Sequence, residues 1–147
     1  EYLASFHKIE ASPAPHFDLE KEFTLHESVK GLIAGDLVNA VHDCADGGLF
    51  ITLVEMSLPR GLGFDIVTDA EVREDAFLFG EAQSRVVVSV SEDQESEFIE
   101  YMMGSKVPFT LLGHVTKGKM MVDDEHFGFI HEIKDIYDNA LGLQLES

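Results

Sequence analysis

Two short segments of the chain combine residue types that could bind a polar ligand. The first, residues 42–49, contains two carboxylates, Asp43 and Asp46, and two adjacent glycines, Gly47 and Gly48. The apolar spacing on either side predicts that a short buried strand ends here and that a helix begins. Free N–H groups at a helix start attract anions, and glycines let a ligand or another backbone come close. Two aspartates would repel a bare phosphate, but a magnesium ion can bind carboxylates and phosphate oxygens together. Asp43 is therefore a candidate magnesium ligand.

This first segment also has a purely structural interpretation, in which Asp46 caps the helix, Asp43 caps a loop and the glycines allow tight packing. We expect Asp46 to be mainly a cap, because it directly precedes the two glycines and an apolar helix face that begins at Leu49. We expect Asp43 to be mainly a site residue, because it stands where a strand end faces a cleft and no helix needs it.

The second segment, residues 79–85, places Glu81, Gln83 and Arg85 close together. A carboxylate, an amide and a guanidinium at this spacing can hold a polar ligand in several orientations. The alternative is the hydrogen-bonded start of a strand, with Arg85 paired to a nearby acid. The segment leads into residues 85–90, whose four valines predict a central strand covered on both faces.

Other site chemistries find little support in the sequence. Of the seven histidines, only His126 and His131 lie close together, and their spacing is not that of a helical i,i+4 pair, so we expect no zinc site. We find no Gly-x-Ser-x-Gly motif and no phosphate-loop motif. Cys44 lies in an apolar strand and is more typical of a small core residue than of a nucleophile.

Composition narrows the class of protein. With 28 acidic and 10 basic residues among 147, the net charge is -18, which repels phosphate backbones and argues against a nucleic-acid partner. Since the sequence contains no run of about 18 apolar residues, we expect no membrane span. The single cysteine fits a reducing, cytoplasmic compartment. The chain starts at Glu1 without a signal-peptide pattern, so we interpret it as a piece of a longer protein.

The elements that must position the two segments alternate between helices and strands. Pro13 and Pro15 predict an extended linker over residues 1–17, and a single domain is expected over residues 18–147. Asp18 resembles a helix N-cap and Gly35 a helix stop. Residues 62–67 alternate as a strand does.

The second half of the chain predicts further elements. Ser91 and Gln94 have the spacing of a capping box, and the helix that follows has an apolar stripe and ends at Gly104. Residues 109–115 and 119–122 are predicted to form a hairpin through Lys117 and Gly118. A last helix presents an apolar face of Ile133, Ile136, Tyr137, Ala140 and Leu141. This mixture of hairpins and strand–helix–strand units predicts an α+β fold with one mixed β-sheet covered by helices.

The two segments, in this order and about 35 residues apart, resemble a known family. The pattern His-Asp-x-(Ser/Ala)-Asp-Gly-Gly-Leu, followed by Leu-Phe-Gly-Glu-x-Gln-Ser-Arg-Val-Val-Val-Ser-Val, is similar to the large subunit of phosphoribosylformylglycinamidine (FGAM) synthase. This family belongs with aminoimidazole ribonucleotide (AIR) synthase and selenophosphate synthetase. The Asp46-Gly47-Gly48 form resembles the second of that enzyme's two internal halves. The resemblance covers the whole chain, although Ala45 and Ala82 stand where the family often has serine.

The resemblance implies a fold and a role. The fold would be the C-terminal domain type of the AIR synthase-related superfamily, partly ferredoxin-like. The intact enzyme converts formylglycinamide ribonucleotide (FGAR), ATP and glutamine-derived ammonia into the amidine in purine biosynthesis, using magnesium. The implied partners are upstream domains of the same enzyme and a glutaminase subunit or domain. The fragment would carry no catalytic residue, need no cofactor itself and be inactive alone.

The same resemblance implies which residues of this chain lie on the nucleotide or substrate side. In the family, the first-half version of the Glu-x-Gln segment is the one associated with substrate. The candidates are Asp43, Asp46, Gly47, Gly48, Glu81, Gln83 and Arg85.

Two other classes of protein remain open on the sequence alone. One is a freestanding, ferredoxin-like ligand-sensing or protein-interaction domain. The other is a structural scaffold whose pocket has lost its ligand. The reading frame upstream of Glu1 distinguishes them from the synthase, because only the synthase requires a long upstream region with glycine-rich motifs of its own.

Overall fold

A computed structural model describes residues 2–9, 11 and 13–145 of the chain. Helices and strands alternate along it. The helices are α1 (Tyr2–Ser5), α2 (Leu19–Ala34), α3 (Gly48–Ser57), α4 (Glu74–Phe79), α5 (Glu95–Gly104) and α6 (Ile130–Leu145), with a 3-10 turn at Leu58–Arg60. The strands are β1 (Ala40–Asp43), β2 (Gly63–Ile66), β3 (Val86–Ser89), β4 (Gly113–Thr116), β5 (Lys119–Val122) and β6 (Glu125–Phe129).

The strands form two sheets, where the sequence predicted one. In the first sheet β1 pairs with β3 in antiparallel orientation. The second has the order β4-β2-β5-β6, and only its β2–β5 pair is parallel. The mixed α+β class is confirmed.

The chain divides into two compact units, and each sheet lies within one of them. Unit 1 comprises Glu1–Thr52 and Leu78–Leu111, and unit 2 comprises Leu53–Phe77 and Leu112–Ser147.

Unit 1 is built on helices α2 and α5. Asp18 caps α2 as predicted, because its carboxylate accepts hydrogen bonds from the amides of Glu20 and Lys21, and Gly35 ends the helix. The predicted capping box at Ser91 is wrong, because α5 begins at Glu95 with Gln94 at its N-cap position, although the Ser91 amide does donate to the Gln94 side chain over 3.3 Å. The core of the unit contains Leu32, Val38 and Met102.

Strand β2 lies between two neighbours in the sheet of unit 2. Its alternation is found in part: Phe64 and Ile66 are buried, Asp65 is half-buried and Val67 just after the strand is exposed, but Gly63 is buried as well. The predicted hairpin through Lys117 and Gly118 is wrong, because β2 separates β4 from β5. The connection runs so close to Gly63 that a Cβ atom there would lie 2.1 Å from the Lys119 carbonyl oxygen.

Two other strand predictions need correction. Strand β3 was predicted to be central, but within the described residues it pairs only with β1, so it has one strand neighbour. Strand β6 was not predicted. It follows β5 through a tight turn in which Asp123 and Asp124 have φ angles of 48° and 68°.

The chain ends differ from the predicted linker and final helix. Helix α1 lies inside the predicted linker, while residues 6–9, 11 and 13–18 contain no helix or strand. Glu1, Glu10 and Ser12 of that linker, and Glu146 and Ser147 of the predicted domain, lie outside the described residues. The apolar face of α6 exists, but its Ile136, Tyr137 and Leu141 are exposed. Among the described helices, none has the length and apolar character needed to cross a bilayer.

Candidate functional site

The two predicted segments meet in unit 1 because their strands pair. Asp43, the last residue of β1, lies opposite Val86, the first residue of β3. One residue further on, the Cys44 amide donates to the Arg85 carbonyl oxygen over 2.9 Å. The start of the first segment and the end of the second are therefore held together by the first sheet.

A carboxylate from the second segment holds the turn that precedes α3. The Gly47 amide donates to Glu81 Oε1 over 2.8 Å, and this bond lowers the pKa of the Glu81 carboxyl below its ordinary value. The predicted N-cap role of Asp46 is wrong, because α3 begins at Gly48 and the hydrogen bonds of the described residues include none from the exposed Asp46 side chain. The carboxylate bound at this helix start comes from Glu81 instead.

Gly48 is packed directly against the backbone of the second segment. A Cβ atom on Gly48 would lie 2.7 Å from the Phe79 carbonyl carbon and 2.9 Å from the carbonyl oxygens of Leu78 and Gly80. Its φ of 69°, like the 85° of Gly47, also lies in the region that favours glycine. Close approach of another backbone segment was predicted for these glycines, and it is found at Gly48. The approaching segment is part of the same chain.

The other polar residues of the second segment have different surroundings. Arg85 Nη1 donates to the Gly80 carbonyl oxygen over 3.0 Å, which braces the loop next to Glu81. Ser84 donates its hydroxyl to the Glu22 carboxylate on α2. Gln83 is exposed, and its side chain contributes no hydrogen bond to those found among the described residues. The structure thus brings Glu81 and Arg85 to the first segment but leaves Gln83 outside the contact.

The Asp43 side chain is 79% exposed, and its Oδ1 lies 3.7 Å from Nδ1 of His42. Its backbone carbonyl accepts from Nδ1 of His42 over 2.7 Å. Since a carbonyl oxygen can only accept, that nitrogen carries a proton. The buried Thr52 hydroxyl lies 3.3 Å from the same carbonyl oxygen. The backbone at Asp43 is therefore fixed while its carboxylate faces solvent.

A magnesium site at Asp43 would need several oxygen ligands close together. In the described part of the chain, no three or more histidine, cysteine, aspartate or glutamate side chains lie in an arrangement that could hold a metal ion. Within the described residues, Asp43 and Asp46 therefore belong to no cluster of three or more such side chains. A role for Asp43 in binding magnesium would need ligands from elsewhere, such as phosphate oxygens.

A groove of about 430 Å³ adjoins Asp43, and the sequence analysis did not identify it. Its lining residues come from α2, β1 and β3: His26, Val29, Lys30, Val41, His42, Asp43 and Val86. The i,i+4 spacing of His26 and Lys30 on a predicted helix was the available signal. Each of these two side chains pairs with a glutamate of its own helix, His26 with Glu22 at 3.0 Å and Lys30 with Glu27 at 2.7 Å. The groove therefore presents little net positive charge.

Cys44 was predicted to be a small core residue in a strand, but it lies just after the end of β1 and is half-buried. It is a free thiol of intermediate burial, and desolvation raises its pKa above the ordinary value. A raised pKa reduces the thiolate fraction at neutral pH, which disfavours a nucleophilic role.

Comparison with known proteins places this arrangement in a family. The family model for "AIR synthase related protein, C-terminal domain" matches residues 1–124. The chain belongs to the AIR synthase related family. The resemblance of the Asp-Gly-Gly and Glu-x-Gln segments to that superfamily is therefore confirmed, and the two segments that carry it are those in contact through Gly47 and Glu81.

Relatives within the AIR synthase related family are much longer than this chain. Phosphoribosylformylglycinamidine synthase subunit PurL of Alkaliphilus metalliredigens is 33% identical over 155 residues, covering 100% of this chain and 20% of the relative. The chain thus spans about a fifth of the length of the relative it matches.

Solved structures show the same fold. Thermotoga maritima PurL complexed with FGAR aligns with a TM-score of 0.71 and 17% identity, covering 90% of this chain and 24% of that one. T. maritima PurL complexed with ATP aligns with a TM-score of 0.62 and 16% identity, covering 76% of this chain and 21% of that one. The α+β domain type expected from the resemblance is therefore confirmed.

Proposed function

We propose that the chain is the C-terminal domain of an FGAM synthase large subunit. The complete enzyme would convert FGAR, ATP and glutamine-derived ammonia into formylglycinamidine ribonucleotide in purine biosynthesis. The observation that carries the proposal is similarity to PurL along the entire chain, with its two most specific segments in direct contact. Solved PurL structures with FGAR and with ATP support these ligands for the complete enzyme.

In this proposal the chain contributes Asp43 and Asp46 to the nucleotide side of the site. Both side chains are exposed next to the start of α3, where a ligand held by other domains could reach them. With magnesium bound to nucleotide phosphates, one carboxylate such as Asp43 is a sufficient protein contribution. Gly47, Gly48, Glu81 and Arg85 shape this surface, and Gln83 stays an exposed candidate for contact with substrate or with another domain.

The proposed partners follow from the same assignment. The upstream domains of the same polypeptide supply most nucleotide contacts, and a separate or fused glutaminase supplies ammonia. Residues 18–147 are proposed to form a single functional domain. A chain that lacks the other domains is expected to be inactive by itself.

The test compares the isolated chain with the complete polypeptide that contains it. Each is supplied with FGAR, ATP, magnesium and ammonium, and the amidine product is measured by mass spectrometry. We expect product only from the complete polypeptide. Magnesium-dependent ATP turnover by the isolated chain, abolished by Asp46→Asn, would contradict the proposed dependence on other domains. Specific binding of a small molecule by the isolated chain, without any amidine product from the complete polypeptide, would favour a freestanding ligand-sensing domain.

A further inference from the structure

We propose that Glu81 is a positioning residue that holds the Gly47–Gly48 turn, and with it the preceding Asp46, in the orientation that a ligand meets. The proposal rests on the proposed function for the identity of that ligand, a magnesium-bound nucleotide. It differs from the sequence-based expectation, in which Glu81 itself touches the substrate.

The first support is the bond between two segments that are far apart in the sequence. Glu81 Oε1 accepts from the Gly47 amide at 2.8 Å across 34 residues. Amides at a helix start have no partner within the helix, so they need one from outside. An ionised carboxylate is a strong acceptor for such an amide. One Glu81 oxygen is thus bound to the protein backbone and not directed at a ligand.

The second support is the conformation of the turn itself. Gly47 and Gly48 have φ angles of 85° and 69°, two consecutive residues in the left-handed region. Glycine loses more conformational freedom on ordering than any other residue. Two adjacent glycines therefore give the turn little stiffness of its own, and contacts from outside must fix it.

The third support is that the loop carrying Glu81 is itself fixed. Arg85 Nη1 bonds to the Gly80 carbonyl oxygen, and the Arg85 carbonyl oxygen accepts from the Cys44 amide. The Phe79 and Phe50 rings lie with their centroids 5.8 Å apart, which adds an apolar contact between the loop and α3. A carboxylate on a fixed loop can transmit that rigidity to the turn.

The consequence concerns the two exposed aspartates. Asp46 lies directly before the turn, and its side chain makes no hydrogen bond among those of the described residues. Asp43 differs, because its backbone is held by β3 and by the Thr52 hydroxyl of α3. The orientation of Asp46 relative to α3 therefore depends on the turn. Loss of the Glu81 bond should loosen the turn first and weaken nucleotide binding as a result.

The experiment uses the complete polypeptide and two readouts. Hydrogen–deuterium exchange is followed in peptides that cover residues 43–50, and KM and kcat are measured for ATP. The variants are Glu81→Ala, Glu81→Gln and Asp43→Ala, with Glu97→Ala on the exposed face of α5 as the matched control. Glu81→Gln keeps the length of the side chain and one acceptor oxygen, so it can replace Glu81→Ala in the test if the alanine variant does not fold.

A positioning role predicts a graded result. A hydrogen bond to a charged group has a net strength that corresponds to about a tenfold to hundredfold change in a local opening constant. Exchange at residues 43–50 should therefore rise at least about tenfold in Glu81→Ala, rise less in Glu81→Gln, and stay unchanged in Asp43→Ala and Glu97→Ala. The KM for ATP should rise in both Glu81 variants in the same order, with a smaller change in kcat.

Three outcomes separate the possible failures. Unchanged exchange in Glu81→Ala would overturn the proposal, whatever happens to activity. Faster exchange with an unchanged KM for ATP, while Asp43→Ala raises that KM, would also overturn it, because the nucleotide would then bind nearby without depending on the turn or on the orientation of Asp46. If Asp43→Ala leaves the KM unchanged while Glu81→Ala accelerates exchange and raises the KM, the Glu81 assignment stands and the nucleotide role of Asp43 fails.

Discussion

At the scale of single residues, the carboxylates around the Gly47–Gly48 turn have different surroundings. Glu81 is bound to a backbone amide, whereas the carboxylates of Asp43 and Asp46 are exposed, and Asp43 has only a 3.7 Å contact with His42. A carboxylate bonded to the backbone contributes to stability, while an exposed one contributes little. The residue that holds the turn is therefore Glu81, although Asp46 is the carboxylate next to the two glycines in the sequence.

This difference predicts how the two aspartates affect stability. Asp43→Ala and Asp46→Ala should each change the free energy of unfolding by less than about 0.5 kcal/mol, because Asp46 has no described side-chain bond and the 3.7 Å contact of Asp43 with His42 is exposed to solvent. Urea denaturation of the isolated chain measures this, with Asp18→Ala as a positive control. Asp18 is an observed N-cap, and its loss should cost about 0.5–2 kcal/mol. A loss from Asp46→Ala equal to that from Asp18→Ala would restore Asp46 as a cap.

A second residue-scale prediction concerns the turn between β5 and β6. The Asp123 carboxylate accepts from the hydroxyl and the amide of Thr68, and these bonds lower its pKa. A carboxyl with a lower pKa in the folded state stabilises the fold above its unfolded pKa, and this contribution is lost as pH falls through the folded pKa.

The check is an NMR titration of the Asp123 carboxyl in the wild type and in Thr68→Val. Removing the hydroxyl donor should raise the pKa of Asp123 toward its ordinary value and reduce the acid-dependent part of stability. Thr110→Val, at an exposed position in unit 1, is the matched control. An unchanged Asp123 titration in Thr68→Val would show that the hydroxyl bond is not formed in solution.

At the scale of elements, local sequence patterns predicted which segments form helices or strands. They predicted less well which strands pair with each other. The strand β2 and the Asp18 cap of α2 depend on neighbouring residues, and both were predicted correctly. The position of β2 between β4 and β5 depends on contacts between residues about 50 positions apart, and local turn residues do not predict such contacts. The valines of β3 indicated burial, but its single strand neighbour could not be predicted from composition.

The same reasoning applies to the candidate site. The glycines and carboxylates that could act were identifiable by type and spacing, but the bond between Gly47 and Glu81 was not. That bond depends on how β1 pairs with β3, which no single segment specifies. His26 and Lys30 were missed for a similar reason, because their i,i+4 spacing shows that they share a helix face but not which strand end that face adjoins.

The inserted position of β2 gives an element-scale prediction. A Cβ on Gly63 would lie 2.1 Å from the Lys119 carbonyl oxygen and 2.6 Å from the Thr116 hydroxyl. Gly63→Ala should therefore destabilise the fold by about 1–3 kcal/mol, as overpacked sites do. Gly104→Ala is the matched control, because no atom lies within 4 Å of its Cβ position. Equal thermal unfolding of the two variants would contradict the observed order of strands.

At the scale of the whole molecule, α6 is exposed beyond its first turns. Ile136 is 70% exposed and Leu141 is 69% exposed, although the sequence gives the helix an apolar face. Buried contacts supply most of the stability of helices in proteins, so this part of α6 should contribute little to the isolated fold. Removing the residues after Lys134 should leave the melting temperature nearly unchanged and reduce binding of a hydrophobic dye. A large drop in melting temperature would show that α6 is packed in solution.

The central claim is that this chain is a necessary domain of an FGAM synthase. The most direct measurement is growth without purines of a bacterial strain that lacks its own FGAM synthase large subunit. The strain receives either the complete reading frame that contains this chain or the same frame stopped before Glu1, with expression of both checked by immunoblot. We expect the strain to grow with the complete frame and not to grow with the shortened one. Absence of growth with a well-expressed complete frame, or growth with the shortened frame, would contradict it.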